Sequence, residues 1–164
     1  MGPPQPLDVV ADFYDGTLTT TVTRHDVLDA CLSPYGDVGK EYTFPIQVIR
    51  SGEMMVIELP TEAGAYNATT DGHQFKIVAD GAAYPCPNRD HPVSGHTLVT
   101  GTIAPDFVGF EGHEVSRELR PDGTLAAQRE LEWSAELRYR STGPYRLMPY
   151  PEQPAPTVPT FPGL

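Results

Sequence analysis

The stretch that most constrains this chain is Glu130 to Arg140, ELEWSAELRYR. Read every second residue, Leu131, Trp133, Ala135, Leu137 and Tyr139 fall on one side, and Glu130, Glu132, Ser134, Glu136, Arg138 and Arg140 on the other. Side chains alternate across a strand, so this spacing predicts a long β-strand with one buried and one wet face. Upstream, Pro121-Asp122-Gly123 supplies turn chemistry and His113 to Leu119 an antiparallel partner. The segment reads as the second arm of a hairpin, and the charges of its wet face as cross-strand ion pairs.

The same alternation recurs along the chain. Leu18, Thr20 and Val22 interleave with Thr19, Thr21 and Thr23 in a strand running to about Arg24. Residues 25 to 41 break the pattern and read as a loop with a short helical turn near Val27 to Leu32. Phe44, Ile46 and Val48 resume it, Ser51-Gly52 turns, and Met54 to Leu59 returns as a nearly continuous apolar strand. Ala65 to Thr70 and His73 to Val78 form a hairpin about Asp71-Gly72. Residues 79 to 95, rich in proline and glycine, read as a surface loop. Leu98 to Ile103 and Phe107 to Phe110 are two further extended pieces around an Ala104-Pro105-Asp106 turn.

These pieces amount to about eight sequential antiparallel strands, an all-β fold that closes as an up-and-down barrel or packs as a sandwich. In a closed barrel the last strand meets the first, Leu131 to Tyr139 lying against Leu18 and Val22. Glycines are read as turn residues. The ends differ in character: residues 1–8 hold three prolines, and seven more fall between Pro144 and Pro162. Residues 1–8 therefore form an N-terminal arm, 9–141 the β-domain, and 142–164 a tail with polyproline II character.

With Asp15-Gly16-Thr17-Leu18 opening the first strand, a meander of hairpins, and Trp133, Arg138 and Arg140 on the last strand, the chain resembles the lipocalin or calycin group. Leu18 stands where that group's Gly-x-Trp motif has its tryptophan. The resemblance implies an up-and-down barrel that holds a small apolar ligand, and its motifs carry over no binding residue.

Twenty-two acidic against eleven basic residues give a formal charge of −11. That charge repels nucleic acid and anionic membranes at long range, which argues against either as a partner. No run of about eighteen apolar residues predicts a membrane span, and the first residues lack the basic and apolar regions of a secretory signal. Cys31 and Cys86 are the only cysteines. In an oxidising compartment a bridge between them closes a loop of about 55 residues and contributes on the order of 4 kcal/mol in the chain-entropy model; in a reducing one they are thiols. A bridged pair places the protein outside the cytoplasm or on a particle surface.

Chemistry-bearing groups are sparse. Cys86, His91 and His96 with Cys31 are the best metal candidates, but their spacing matches no zinc knuckle, and the expectation is no metal and no cofactor. Ser94 lies near His96 and Asp90 near His91, without a G-x-S-x-G elbow, so the chain is expected not to be an enzyme. Asn67-Ala68-Thr69 fits a glycosylation pattern that occurs by chance. Phe44, Met54, Tyr66, Phe75, Trp133 and Tyr139 are the candidate lining of a hollow interior, or else the filling of a solid one.

The tail points furthest toward function. Pro151 to Pro154 has Pro-x-x-Pro spacing, and with Tyr145, Tyr150 and Phe161 it suits aromatic grooves on another subunit. The sequence therefore predicts a non-enzymatic structural or interaction protein whose arms contact other protein subunits, itself included, in a virion or cell-surface assembly. The alternative is a calycin-like binder of a small apolar ligand.

Overall fold

A computed structural model describes residues 7–27, 38–61, 64–81 and 92–147. Cys31, Cys86, His91, Tyr150, Pro151, Pro154 and Phe161 lie outside the described residues, so the bridge and most of the tail contacts expected from sequence do too.

Eight antiparallel strands close into an up-and-down barrel: β1 (Leu7–Val27), β2 (Glu41–Ser51), β3 (Met54–Leu59), β4 (Gly64–Thr70), β5 (Gln74–Asp80), β6 (Ser94–Ile103), β7 (Gly109–Leu119) and β8 (Leu125–Leu147). Closure decides between the two architectures and leaves no open edge around the barrel body. As expected, first meets last: Leu18 lies opposite Ala135 and Val22 opposite Leu131.

Alternate residues of the strands face the interior. Leu18 and Val22, Phe44, Ile46 and Val48, Met55, Ile57 and Leu59, Tyr66, Phe75, Val99 and Leu131, Trp133, Ala135 and Leu137 contribute to one buried cluster. The outward positions of β5 are Gln74, Lys76, Val78 and Asp80, all exposed. Among the described residues no helix is long and apolar enough to cross a membrane.

Several glycines are not turn residues. Gly101 sits within β6, where an added Cβ would lie 2.5 Å from the Phe75 ring and 2.1 Å from the Glu111 carbonyl oxygen; Gly16 meets the Glu136 carbonyl at 2.2 Å. These are places where ring or backbone comes too close for a side chain. Gly52, Gly72 and Gly123 do occupy hairpin turns with positive φ. Asp71 secures one of these turns by accepting from the His73 and Gln74 amides at 2.8 and 2.7 Å, and these bonds hold its carboxyl below the ordinary range.

Phe107 is not in a strand. It ends a single 3₁₀ turn, Pro105–Phe107, in which Asp106 and Phe107 have φ of 60° and 56°. This left-handed pair turns Phe107 inward across one mouth of the barrel. There its ring packs 4.6 Å from that of Tyr14, with the Arg50 guanidinium 4.6 Å from its centroid. The extended pieces at Phe110 and at His113 to Leu119 are then one strand, β7.

The domain limits differ from those read in the sequence. β1 starts at Leu7, inside the expected arm, and β8 runs to Leu147, six residues into the expected tail. Leu7 to Phe13 and Ser141 to Leu147 pair as a two-stranded ribbon that continues past the barrel body. Ala11, Ile49 and Val56 form a second buried cluster with Phe13, Met54, Ala65 and Tyr145 packed against it. Ile49 and Val56 are outward residues of β2 and β3, so the ribbon covers part of the barrel's outer wall.

Candidate functional site

Among the described residues, three places gather groups with chemical or binding potential: the interior, the ribbon and the outer face of β5 to β8.

In the interior, four of the six expected lining residues are buried: Phe44, Tyr66, Phe75 and Trp133. They pack against neighbours of their own kind, Tyr66 edge-on to Trp133 at 5.2 Å and Phe75 to Phe110 at 5.2 Å. Two expectations are corrected. Met54 belongs to the outer cluster under the ribbon, and Met55 takes the inward position. Tyr139 is 56% exposed, where its strand leaves the barrel mouth, with its ring 5.8 Å from Tyr14. A run as apolar as MMVIEL carries no phase, which is why the two methionines were exchanged.

A polar set that the sequence did not single out lies among these rings. Glu114, 1% exposed, accepts from Trp133 Nε1 at 3.0 Å through Oε1, and from Arg129 Nη2 at 3.3 Å and Ser116 Oγ at 2.7 Å through Oε2. The buried carboxylate is thus both neutralised and hydrogen-bonded, the condition under which a buried charge is tolerated. Tyr66 is 1% exposed, and its hydroxyl has no hydrogen-bond partner among the described residues; nor does Thr20 Oγ1, also fully buried. Burial pushes the Tyr66 phenol well up, with Glu114 adding to the shift and Arg129 opposing it, so the hydroxyl stays neutral. Glu114 occupies an inward position of β7, and only the register of β7 on β8, Glu114 opposite Leu131, would have revealed it.

On the ribbon, Tyr145 is half-buried, its ring edge-on to Phe13 at 6.2 Å. Burial raises its phenol, and Glu58 on β3 raises it further. The tyrosine expected to meet a partner therefore packs on its own barrel. Arg146 Nε donates to Asp8 Oδ1 at 3.2 Å, Arg140 Nη1 to Asp15 Oδ1 at 3.3 Å, and Ser51 Oγ to the Val10 carbonyl at 2.8 Å. Leu7 lies opposite Leu147, so the two strand ends leave the ribbon side by side.

On the outer wall, His113 is held between Glu132 through Nδ1 at 2.5 Å and Glu130 through Nε2 at 2.9 Å. Glu132 foremost, then Glu130, raises the imidazole above its ordinary range, and His113 in turn lowers Glu130. Farther along the wall, His96 bonds Asp80 and Ser94. Among the described residues no group of three or more His, Cys, Asp or Glu side chains is arranged to hold a metal ion.

Compared with protein-family models, curated proteins and solved structures, the chain matches none.

Proposed function

We propose that this chain is a structural and interaction protein, an acidic β-barrel that offers its proline-rich ends to neighbouring subunits, copies of itself included, in a virion or cell-surface assembly. The observation that carries this reading is the pairing of Leu7 with Leu147 at the tip of the ribbon. Prolines 3, 4 and 6 and the six that follow Leu147 are therefore joined to the fold at one place. Two proline-rich segments joined at one point engage a partner with the advantage of a linked second contact. The barrel behind them is closed and tied by ion pairs, and so suits the role of a rigid carrier.

The test is self-association of the full chain against a chain ending at Leu147, which keeps every described strand. Sedimentation velocity over a wide concentration range, with cross-linking and peptide mapping, should show oligomers of the full chain cross-linked through its ends and a monomer for the shortened one. Equal assembly of the two would sink the proposal.

A second reading, a calycin-like binder of a small apolar molecule, draws on a different observation, the unpartnered Tyr66 hydroxyl inside the barrel. Eight-stranded barrels are either filled by side chains or hold one small ligand. Titration with a fluorescent apolar probe tests it: saturable binding that weakens in Tyr66→Phe supports a ligand with one hydrogen-bonding group, and absence of a saturable site rules the reading out.

A further inference from the structure

Register brings together on the outer wall what the sequence leaves apart. Asp80 on β5 lies directly opposite His96 on β6, and Ser94 precedes His96 by one pleat on the same face. His96 Nδ1 is 2.8 Å from Asp80 Oδ1, and His96 Nε2 is 3.0 Å from Ser94 Oγ.

The chemistry of the partners fixes the direction of both bonds. An ionised carboxylate only accepts, so Nδ1 carries the proton and donates to Asp80. In the neutral imidazole Nε2 is then the bare nitrogen, and the Ser94 hydroxyl donates to it. A serine hydroxyl bonded to the basic nitrogen of an imidazole whose other nitrogen is held by a carboxylate is the arrangement of an activated nucleophile.

Two further features lie on the same face. Arg117 on β7 is the cross-strand neighbour of His96, and its guanidinium bonds Gln128 Oε1 on the β8 side through Nε at 3.1 Å. One pleat away, Val78 lies opposite Leu98 and Leu98 opposite Val115; Val78 is 54% and Leu98 42% exposed. This short apolar strip borders the imidazole on the side away from Ser94.

We propose that the outer face of β5 to β7 carries an acyl-transfer site for small carboxylic esters, with Ser94 as nucleophile, His96 as general base and acid, and Asp80 as the positioning residue. Ser94 Oγ bonds to the ester carbonyl carbon as its proton passes to His96 Nε2. The carbon–alkoxy bond breaks, and the alcohol leaves with that proton. Water then attacks the Ser94 acyl ester, its proton goes to Nε2, the carboxylic acid departs and Ser94 recovers the proton. Arg117 is the cationic residue in the row of His96, and the Val78–Leu98–Val115 strip borders that row on the side away from Ser94. This site is independent of the proline-rich ends, so its fate and that of the interaction reading are decided separately.

The experiment treats the full chain with an alkyl fluorophosphonate, a probe that phosphonylates activated serines, and maps the adduct by mass spectrometry. Hydrolysis of p-nitrophenyl butyrate is followed in parallel. One adduct on Ser94 is expected, absent in Ser94→Ala and slower by on the order of a hundredfold in His96→Gln. Asp80→Asn should move the imidazole proton from Nδ1 to Nε2, read by ¹⁵N chemical shifts, and slow labelling without changing the circular dichroism spectrum. No adduct, adducts spread evenly over exposed serines such as Ser134 and Ser141, or hydrolysis unchanged in Ser94→Ala would overturn the proposal.

Discussion

The indole N–H of Trp133 donates to Glu114 Oε1 at 3.0 Å inside the barrel, joining the middle of the last strand's apolar row to a carboxylate that is 1% exposed. Arg129, on the same strand as Trp133, holds the other oxygen at 3.3 Å, with both side chains of this ion pair almost fully buried. One acidic residue thus satisfies two donors of β8 from β7.

Removing that carboxylate takes one acceptor from the buried Arg129 guanidinium and leaves the Trp133 N–H without the acceptor it has at Glu114. Glu114→Ala should cost about 3–5 kcal/mol, the range for breaking a buried pair by deleting one partner. Replacing both ends, Glu114→Leu with Arg129→Met, should recover part of the loss, because the charge that Glu114 neutralises is removed with it. Urea denaturation of the parent and the two variants checks both; a Glu114→Ala midpoint equal to that of the parent would show that the pair contributes nothing.

The Tyr66 hydroxyl behaves in the opposite way. With no partner among the described residues, its burial is a cost without a compensating bond. Tyr66→Phe should therefore be neutral or stabilising by up to about 1 kcal/mol, within the desolvation cost of an unsatisfied group. A clear loss of stability in the ligand-free protein would mean that the hydroxyl is bonded, a buried water being the simplest partner.

How much of this was legible in the sequence depends on range. Alternation over Leu131 to Leu137 and over Leu18 to Val22 gave the strands, their inward faces and their meeting, because a period of two and the closure of a meander are local or topological facts. Asp71-Gly72 gave its hairpin because the turn chemistry is contained in the two residues. What was not legible is what register alone creates. Glu114 is read as an ordinary charge until β7 is set against β8, and Asp80 has no visible connection to His96 until β5 is set against β6. In the sequence the carboxylate beside a histidine of this region is Asp90, next to His91. Phe107 was missed because a two-residue left-handed excursion in Asp-Phe has no compositional mark, unlike one at glycine.

The His113 cluster sets a pH dependence whose sign follows from the two shifts. The folded-state imidazole is raised above its ordinary value of 6.5 by Glu132 and Glu130, so its contribution is complete below about 6.5 and is lost as pH rises through the raised value. Glu130 is lowered from its ordinary 4.5, chiefly by His113, so its contribution is present above about 4.5 and is lost as pH falls through the lowered value. Arg24 and Gln128 also face Glu130, at 3.4 and 3.3 Å, and Thr100 lies opposite His113 on β6. The cluster should therefore stabilise most between about pH 4.5 and 6.5. His113→Gln should lower the melting temperature in that window and converge on the parent at higher pH; a parallel offset at every pH would contradict the assignment.

The ribbon makes a prediction that separates the end of the fold from the end of the chain. Ser141 to Leu147 pair with β1, and Tyr145 packs with Phe13 over Ile49 and Val56 on the outer wall. A chain ending at Ser141, where the sequence suggested that the domain stops, loses these pairings and uncovers Ala11, Ile49 and Val56, now 5% exposed or less. Uncovering side chains of this kind costs about 1.5–3 kcal/mol for each one fully exposed. Partial uncovering of three should shift the urea midpoint by an amount equivalent to a few kcal/mol. A chain ending at Leu147 keeps the ribbon and should unfold at the parent's midpoint. Comparing the two truncations by urea titration decides the matter: equal stability would show that the ribbon only lies along the barrel, while loss in the shorter chain alone would place the last stabilising contacts of this fold between Ser141 and Leu147.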